Sequence, residues 1–252
     1  MVKKLIISEF QNKLFCSDNL KLLTKLPDKS INLIYCDILY GTGRNFGDYQ
    51  DLQPDKQTVF DHYEPRLKEM KKVLVDDGTI YLQMDYRISH WIRCLMDDIF
   101  GYGNLRNEII WHYNSAPRRK LDFGDRHDTI LRYSKTKNYI FNPVREPYSL
   151  SAPRGYEKEK YYNKDGKVIG DVWNINILGQ NDKTERVGYS TQKPLELLKR
   201  IISSSSNEGD LVADFYMGSG TTVVAAKQMG RNFLGCDSNN NAIEISKKRL
   251  LG

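Results

Sequence analysis

The stretch "DLVADFYMGSGTTVVAAKQMGRNFLGCD", Asp210 to Asp237, constrains the fold more than any other part of the chain. An apolar run ends on a carboxylate, Asp214. A turn with glycine at 218 and 220 follows, and Thr221 and Thr222 open a helix-like segment. A second apolar run ends on Asp237, 19 residues past Gly218. Strand, glycine turn, helix and strand make one βαβ unit. That unit lays its two strands parallel and brings both carboxylates to the same edge of the sheet.

The rest of the chain repeats this alternation. "NKLFCS", "INLIYCD", "GTIYLQM", "NEIIWHY" and "TILRYS" read as strands. "NLKLLTKL", "TVFDHYEPRLKEMKKVL", "ISHWIRCLMDDIF", "PLELLKRII" and "NAIEISKKRLL" read as helices, with Pro194 in the first turn of its own and Pro65 expected to kink or split the second. The expected fold is α/β, a doubly wound, mostly parallel sheet in a single domain over residues 1–252. Between about 142 and 188 the periodicity dissolves into Pro, Tyr, Gly, Lys and Asn, as in a loop-rich surface insertion.

The chain has 252 residues, 40% of them hydrophobic, enough for a full core. No apolar run approaches the roughly 20 residues of a membrane span, and the N-terminus lacks a leader pattern, so a cytoplasmic protein is expected. Cys16, Cys36, Cys94 and Cys236 form no C-x-x-C pair and have no accompanying His cluster, so no metal site is expected. Three of them lie in or beside apolar runs and read as core thiols. Net charge is +6, and the surplus is local: residues 104–200 hold 19 Lys and Arg against 12 Asp and Glu, the remainder 19 against 20. A basic central segment suits a phosphate-bearing partner.

Ligands of doubly wound sheets bind beyond the carboxyl ends of the strands. Gly218 and Gly220 permit a tight turn against a ligand, and Asp237 is placed to hold ribose hydroxyls. Val223 stands where a dinucleotide fingerprint needs its third glycine, which disfavours a nucleotide-dependent dehydrogenase, and no Walker lysine is present. A nucleoside with an amino-acid tail fits better. The second notable strand end is "YCDILYGTG", where a buried run delivers Asp37, Tyr40, Gly41 and Gly43 to the same edge.

Together these motifs resemble the β group of DNA amino-methyltransferases of bacterial restriction–modification systems, in which the catalytic Asp-x-x-Tyr-Gly precedes the glycine loop. "CSDNLKLL", "RHDTILRYSK", "DVWNI" and "TQKPLELLKRII" are similar to further family blocks. The resemblance implies a Rossmann-like fold with permuted motif order. It also implies methyl transfer from S-adenosylmethionine to an exocyclic nitrogen of a base flipped out of double-stranded DNA. It assigns catalysis to Asp37, the Ile38 carbonyl and Tyr40, which would stack on the base. It assigns the cofactor to Asp18 (adenine), Asp37, Lys193 and Pro194 (methionine end), Asp214, Phe215, Gly218, Ser219, Gly220, Thr221, Thr222, Asp237 and Ser238. Asp37, where cytosine-N4 members tend to have serine, points to adenine N6. Two prolines usual in the family are replaced by Ile38 and Leu39, and a third by Phe215. A non-catalytic DNA-binding subunit is the competing expectation.

Arg118, Arg119, Lys120 and Arg126 are the candidate DNA contacts, and the insertion is the candidate target-recognition region. His127 beside Asp128 reads as structural. A homodimer and a cognate restriction endonuclease are the protein partners the resemblance suggests, with residence at the nucleoid.

Overall fold

The computed structural model describes residues 6–47, 49–114, 121–148, 160, 162–179, 182–189 and 191–251. In chain order these form β1 (Lys13–Cys16), α1 (Asn19–Leu23), β2 (Ile31–Asp37), α2 (Lys56–Val73), β3 (Leu74–Met84), α3 (Tyr86–Phe100), β4 (Leu105–His112), β5 (His127–Ser134), β6 (Arg145–Glu146), β7 (Lys167–Val168), β8 (Val172–Asn174), α4 (Leu195–Ser205), β9 (Leu211–Asp214), α5 (Thr221–Gln228), β10 (Asn232–Asp237) and α6 (Asn240–Leu251). Eight strands form one sheet in the order β1-β10-β9-β2-β3-β5-β4-β8. β5 runs antiparallel to both β3 and β4, and the other neighbours are parallel.

Period-two alternation sends side chains to two cores. Ile34 and Cys36 of β2, with Ile80, Leu82 and Met84 of β3, pack under α1, α2 and α3. Leu33, Tyr35 and Tyr81 face the other way, against α4, α5 and α6. The helix after β2 therefore covers one face of the sheet and the helix after β9 covers the other. These two strands are neighbours, so the connections diverge between them. A crevice opens at that point, as a topological switch requires.

Three expectations need correction. α2 is one helix of 18 residues with Pro65 inside it. The carbonyl that Pro65 leaves without an N–H partner belongs to Asp61, which faces water, while Val59, Tyr63, Leu67 and Met70 hold the helix to the core on either side. The 142–188 region is not purely a surface insertion. β8 joins the main sheet beside β4, and Trp173 and Ile175 are buried. Three residues are too short a run to show a period. Finally, only Cys36 and Cys236 are core thiols: Cys16 and Cys94 are exposed, Cys94 on α3 away from the buried stripe of Ile88, Ile92, Leu95 and Met96.

No described helix is long and apolar enough to cross a membrane, and the described residues contain no group of three or more His, Cys, Asp or Glu side chains placed to hold a metal ion.

Candidate active site

The crevice holds a cavity of about 690 Å³, lined by residues from both strand ends. On the β9 side, Asp214 is buried and its two oxygens are used locally. One accepts the Tyr216 N–H at 3.0 Å and the other the Thr222 hydroxyl at 2.5 Å. Burial raises this carboxyl to about 7 against the pull of those bonds. Asp237 accepts the Gly218 N–H at 2.8 Å and that of Asn239 at 2.8 Å. Gly218 and Gly220 have φ of +52° and +79°, a region L side chains rarely enter. A Cβ on Gly220 would stand 2.3 Å from the Ser246 hydroxyl, so α6 packs where any side chain would go. α6 also sends Arg249 into the loop, where it donates to the Ser219 carbonyl at 2.9 Å and the Thr221 hydroxyl at 3.0 Å.

On the β2 side, Asp37 is partly buried and ion-paired with Lys193, which immediately precedes Pro194 at the start of α4. Burial raises the Asp37 carboxyl above the usual carboxylate range, and the Lys193 ammonium pulls against it. The Tyr40 hydroxyl is 2.8 Å from Asp37 and 2.7 Å from Asp128 of β5. It has one proton, so it donates to one of the two at a time. Gln83 donates to Asp128 at 2.8 Å and receives the Tyr35 hydroxyl at 2.7 Å, completing a buried polar network under the pocket. The following turn is tied by Asp51, which is 3% exposed and accepts the N–H groups of Gly41, Thr42 and Leu52. Gly41 and Gly43 take φ of +66° and +68° to make that turn.

Asp18 lies at the far rim. It caps α1 by accepting the Lys21 N–H and pairs with Arg66 of α2 at 2.6 Å. Partial burial opposes ionisation there, but the Lys21 N–H and Arg66 hold its carboxyl below the usual range. Arg66 also binds Asn19, which donates to the Phe215 carbonyl at 3.0 Å and so links this rim to the glycine loop. His62 lies beside it. Burial and then Arg66 lower the imidazole to about 4, so it is neutral at pH 7.

The structure thus brings Asp18, Asp37, Ile38, Tyr40, Lys193, Asp214, Phe215, Gly218, Ser219, Thr221, Thr222, Asp237 and Ser238 to one cavity. Pro194 and Gly220 do not line it; they begin the two helices that shape it. Arg126 does not line it either: it lies just before β5, its carbonyl bonded to Tyr113. Arg118, Arg119 and Lys120 lie outside the described residues.

A glycine turn flanked by Asp214 and Asp237, in one cavity with a third strand-end acid, Asp37, narrows the field, and comparison with known proteins narrows it to one family. The DNA methylase family N6_N4_Mtase matches residues 31–248. The chain belongs to this family. Its members take their methyl group from S-adenosylmethionine, and the cavity has the glycine cradle, acids and volume for a nucleoside with a second group beside it. The methylase is 35% identical to the Type II methyltransferase M.HpaI of Haemophilus parainfluenzae, over 94% of this chain and 74% of that one. It is 33% identical to the DNA adenine methyltransferase YhdJ of Escherichia coli K12, over 92% of this chain and 80% of the relative. Among solved structures, the PvuII DNA methyltransferase (cytosine-N4-specific) superposes with a TM-score of 0.72 at 16% identity, covering 96% of this chain and 87% of that one. The M1.HpyAVI–SAM complex superposes at 0.63 with 23% identity, covering 94% and 99%. The low identities of these two speak to the fold.

Sequence reasoning missed Arg66, His62, Asn19, Asp51, Gln83 and Arg249. Arg66, His62, Asn19 and Arg249 lie on helices, Asp51 in a loop and Gln83 on β3; apart from Asp51, whose partners lie within ten residues, each reaches a partner distant in the chain. Asp128 was visible as part of a motif, but nothing local tied it to Tyr40.

Proposed function

We propose that the methylase transfers the S-adenosylmethionine methyl group to N6 of an adenine, flipped out of a specific double-stranded DNA sequence. The observation that carries this reading is the Asp37 carboxylate. It stands at the mouth of β2 in the same cavity as the glycine loop, with Tyr40 and Lys193 against it. The 33% identical relative named as a DNA adenine methyltransferase supports adenine. Within a family spanning N6 and N4 acceptors, the aspartate favours N6.

The bound cofactor supplies an electrophilic methyl on a sulfonium. Gly218, Ser219, Thr221 and Asp237 would hold its nucleoside, Asp18 the adenine side and Lys193 the amino-acid end. The amino nitrogen of adenine is a weak nucleophile because its lone pair is delocalised into the ring. Asp37 accepts one of its N–H groups and the Ile38 carbonyl the other. Positive charge building on nitrogen is stabilised by acceptors already in place. Tyr40 frees an Asp37 oxygen for this contact by donating to Asp128 instead. After transfer the nitrogen carries an extra, acidic proton. Asp37, its basicity raised by burial, takes that proton or passes it to water.

The basic central segment would meet the DNA backbone, with Arg118, Arg119, Lys120 and Arg126 as contacts and 142–188 contributing to target recognition. Such a substrate places the protein at the nucleoid in the cytoplasm, and an endonuclease that cuts the same sequence is the natural partner. Single-molecule modification mapping of plasmid DNA from expressing cells tests the reading. N6-methyladenine at one recurring sequence is expected. N4-methylcytosine there, or unmodified DNA despite cofactor and duplex binding, would overturn it.

A further inference from the structure

A second cavity, of about 480 Å³, lies on the α4 face of the sheet and shares no lining residue with the first. Lys193, just before α4, is in the first cavity, while Arg200 and Ser204, toward the other end of that helix, line the second. Its floor is Arg132 of β5, which is 4% exposed. One Arg132 amino group, Nη1, donates to Asn107 at 3.2 Å. Nε and Nη2 are buried and have no hydrogen-bond partner. Those two atoms form one edge of the guanidinium, the edge that grips a carboxylate or phosphate through two parallel bonds. The flat faces of the group are occupied instead: its Cζ is 4.5 Å from the Phe141 ring centre and 5.3 Å from that of Tyr139.

A buried cation with a bare donor edge is costly unless something answers it. Arg106, stacked on Tyr139, and Arg200, stacked on Trp173, line the same cavity. Asp171 is the one carboxylate among the lining residues. Arg200 also pairs with Glu196 at 3.4 Å, so three guanidiniums against two carboxylates leave one positive charge. A phosphate monoester fits this better than a carboxylate, because two of its oxygens can take the Arg132 edge while a third is left for Arg106 or Arg200. The volume is that of a small organic molecule, well beyond a lone ion. Burial keeps Arg132 out of reach of a duplex backbone. We infer that this cavity is a second ligand site, taking a small phosphorylated molecule through the Nε–Nη2 edge of Arg132.

The test uses the full chain, with inorganic phosphate as probe and chloride exchanged to hold ionic strength constant. Calorimetry and thermal unfolding should show one phosphate bound per chain and a Tm that climbs with its concentration, with or without S-adenosylmethionine. Acetate should bind at least tenfold more weakly. Arg132→Gln should lower phosphate affinity tenfold or more, and Arg200→Gln, on the rim, several-fold. Circular dichroism and cofactor binding check that both variants fold; if Arg132→Gln does not, Arg200→Gln carries the test. An unresponsive wild type would mean water alone fills the cavity and would overturn the inference, as would variants that respond like wild type. Displacement of phosphate by a non-cognate duplex would move the site to the DNA face and overturn the small-molecule assignment.

Discussion

The ends of β9 and β2 lie side by side in the sheet, yet they are held by different means. The β9 loop is tied mainly through its own backbone. Asp237 takes the Gly218 N–H, Arg249 takes the Ser219 carbonyl, and the Met217 N–H donates to Cys236 of the next strand at 3.1 Å. The functional groups at the end of β2 are held by one another. Lys193, Asp37, Tyr40, Asp128 and Gln83 form a chain of charged and polar side chains. A backbone-tied cradle keeps its shape when one side chain changes. A site built from mutually dependent ionisable groups responds to every change of charge.

The largest effect tests that contrast directly. Asp37→Ala should reduce methyl transfer by about 100- to 1000-fold or more, the scale on which one transition-state acceptor acts. Cofactor affinity should stay within a few fold, because the β9 cradle is untouched. Tritiated-methyl transfer with calorimetric titration measures both. Substantial activity in the variant would remove Asp37 from the chemistry.

Next comes the buried carboxyl on the β9 side, Asp214. The Asp214 carboxyl is raised to about 7 in the fold, so the folded protein keeps a proton there that the unfolded chain gives up near about 4. Its stabilising contribution is complete below about pH 4 and is lost as pH rises through about 7. Over that window the change is of order a few kcal/mol, at about 1.4 kcal/mol per unit. Urea unfolding at several pH values should show this slope in the wild type and its disappearance in Asp214→Asn. An unchanged slope would place the titration elsewhere.

Gly220→Ala should weaken cofactor binding about tenfold or more. Left-handed backbone costs a non-glycine residue roughly 1–2 kcal/mol, before the clash with Ser246 is counted. Methyl transfer at saturating cofactor should fall far less than in Asp37→Ala. If both variants lost transfer equally at saturation, the division between cradle and chemistry would fail.

The smallest effects concern the two positions where the family usually has proline. The Ile38 N–H donates to the Gln83 carbonyl at 3.1 Å, a bond proline cannot make. Ile38→Pro should therefore lose about 0.5–1.5 kcal/mol of local stability, offset by about 0.4–1 kcal/mol of chain stiffening. Leu39→Pro keeps that bond, so single-turnover rates should stay within about fivefold of wild type and exceed those of Ile38→Pro. The reverse order would show that the Gln83 bond does not position the strand end.

Much of this was legible in the sequence wherever one element carries the signal. "INLIYCD" is apolar on both faces and reads as a buried strand ending on Asp37. "GSGTT" reads as a turn into a helix because glycines and capping residues act within a few positions. Helix α2 ran through Pro65 because its buried stripe outweighs one lost bond, a balance no local rule contains. "DVWNI" showed no period, and only pairing with β4 made it a strand.

The sequence by itself determined where strands stop on acids and where glycine allows the backbone to turn, since these follow from local sterics and apolar spacing. The tertiary structure decided what those acids touch. Asp128 reaches Tyr40 across 88 positions of chain, and Arg66 reaches Asp18 across 48. Arg249 closes the glycine loop from 30 residues beyond it. The physical reason is one of range. Propensity and periodicity act over a few residues, whereas burial, ion pairing and the pKa values they set depend on neighbours that only the folded sheet brings together.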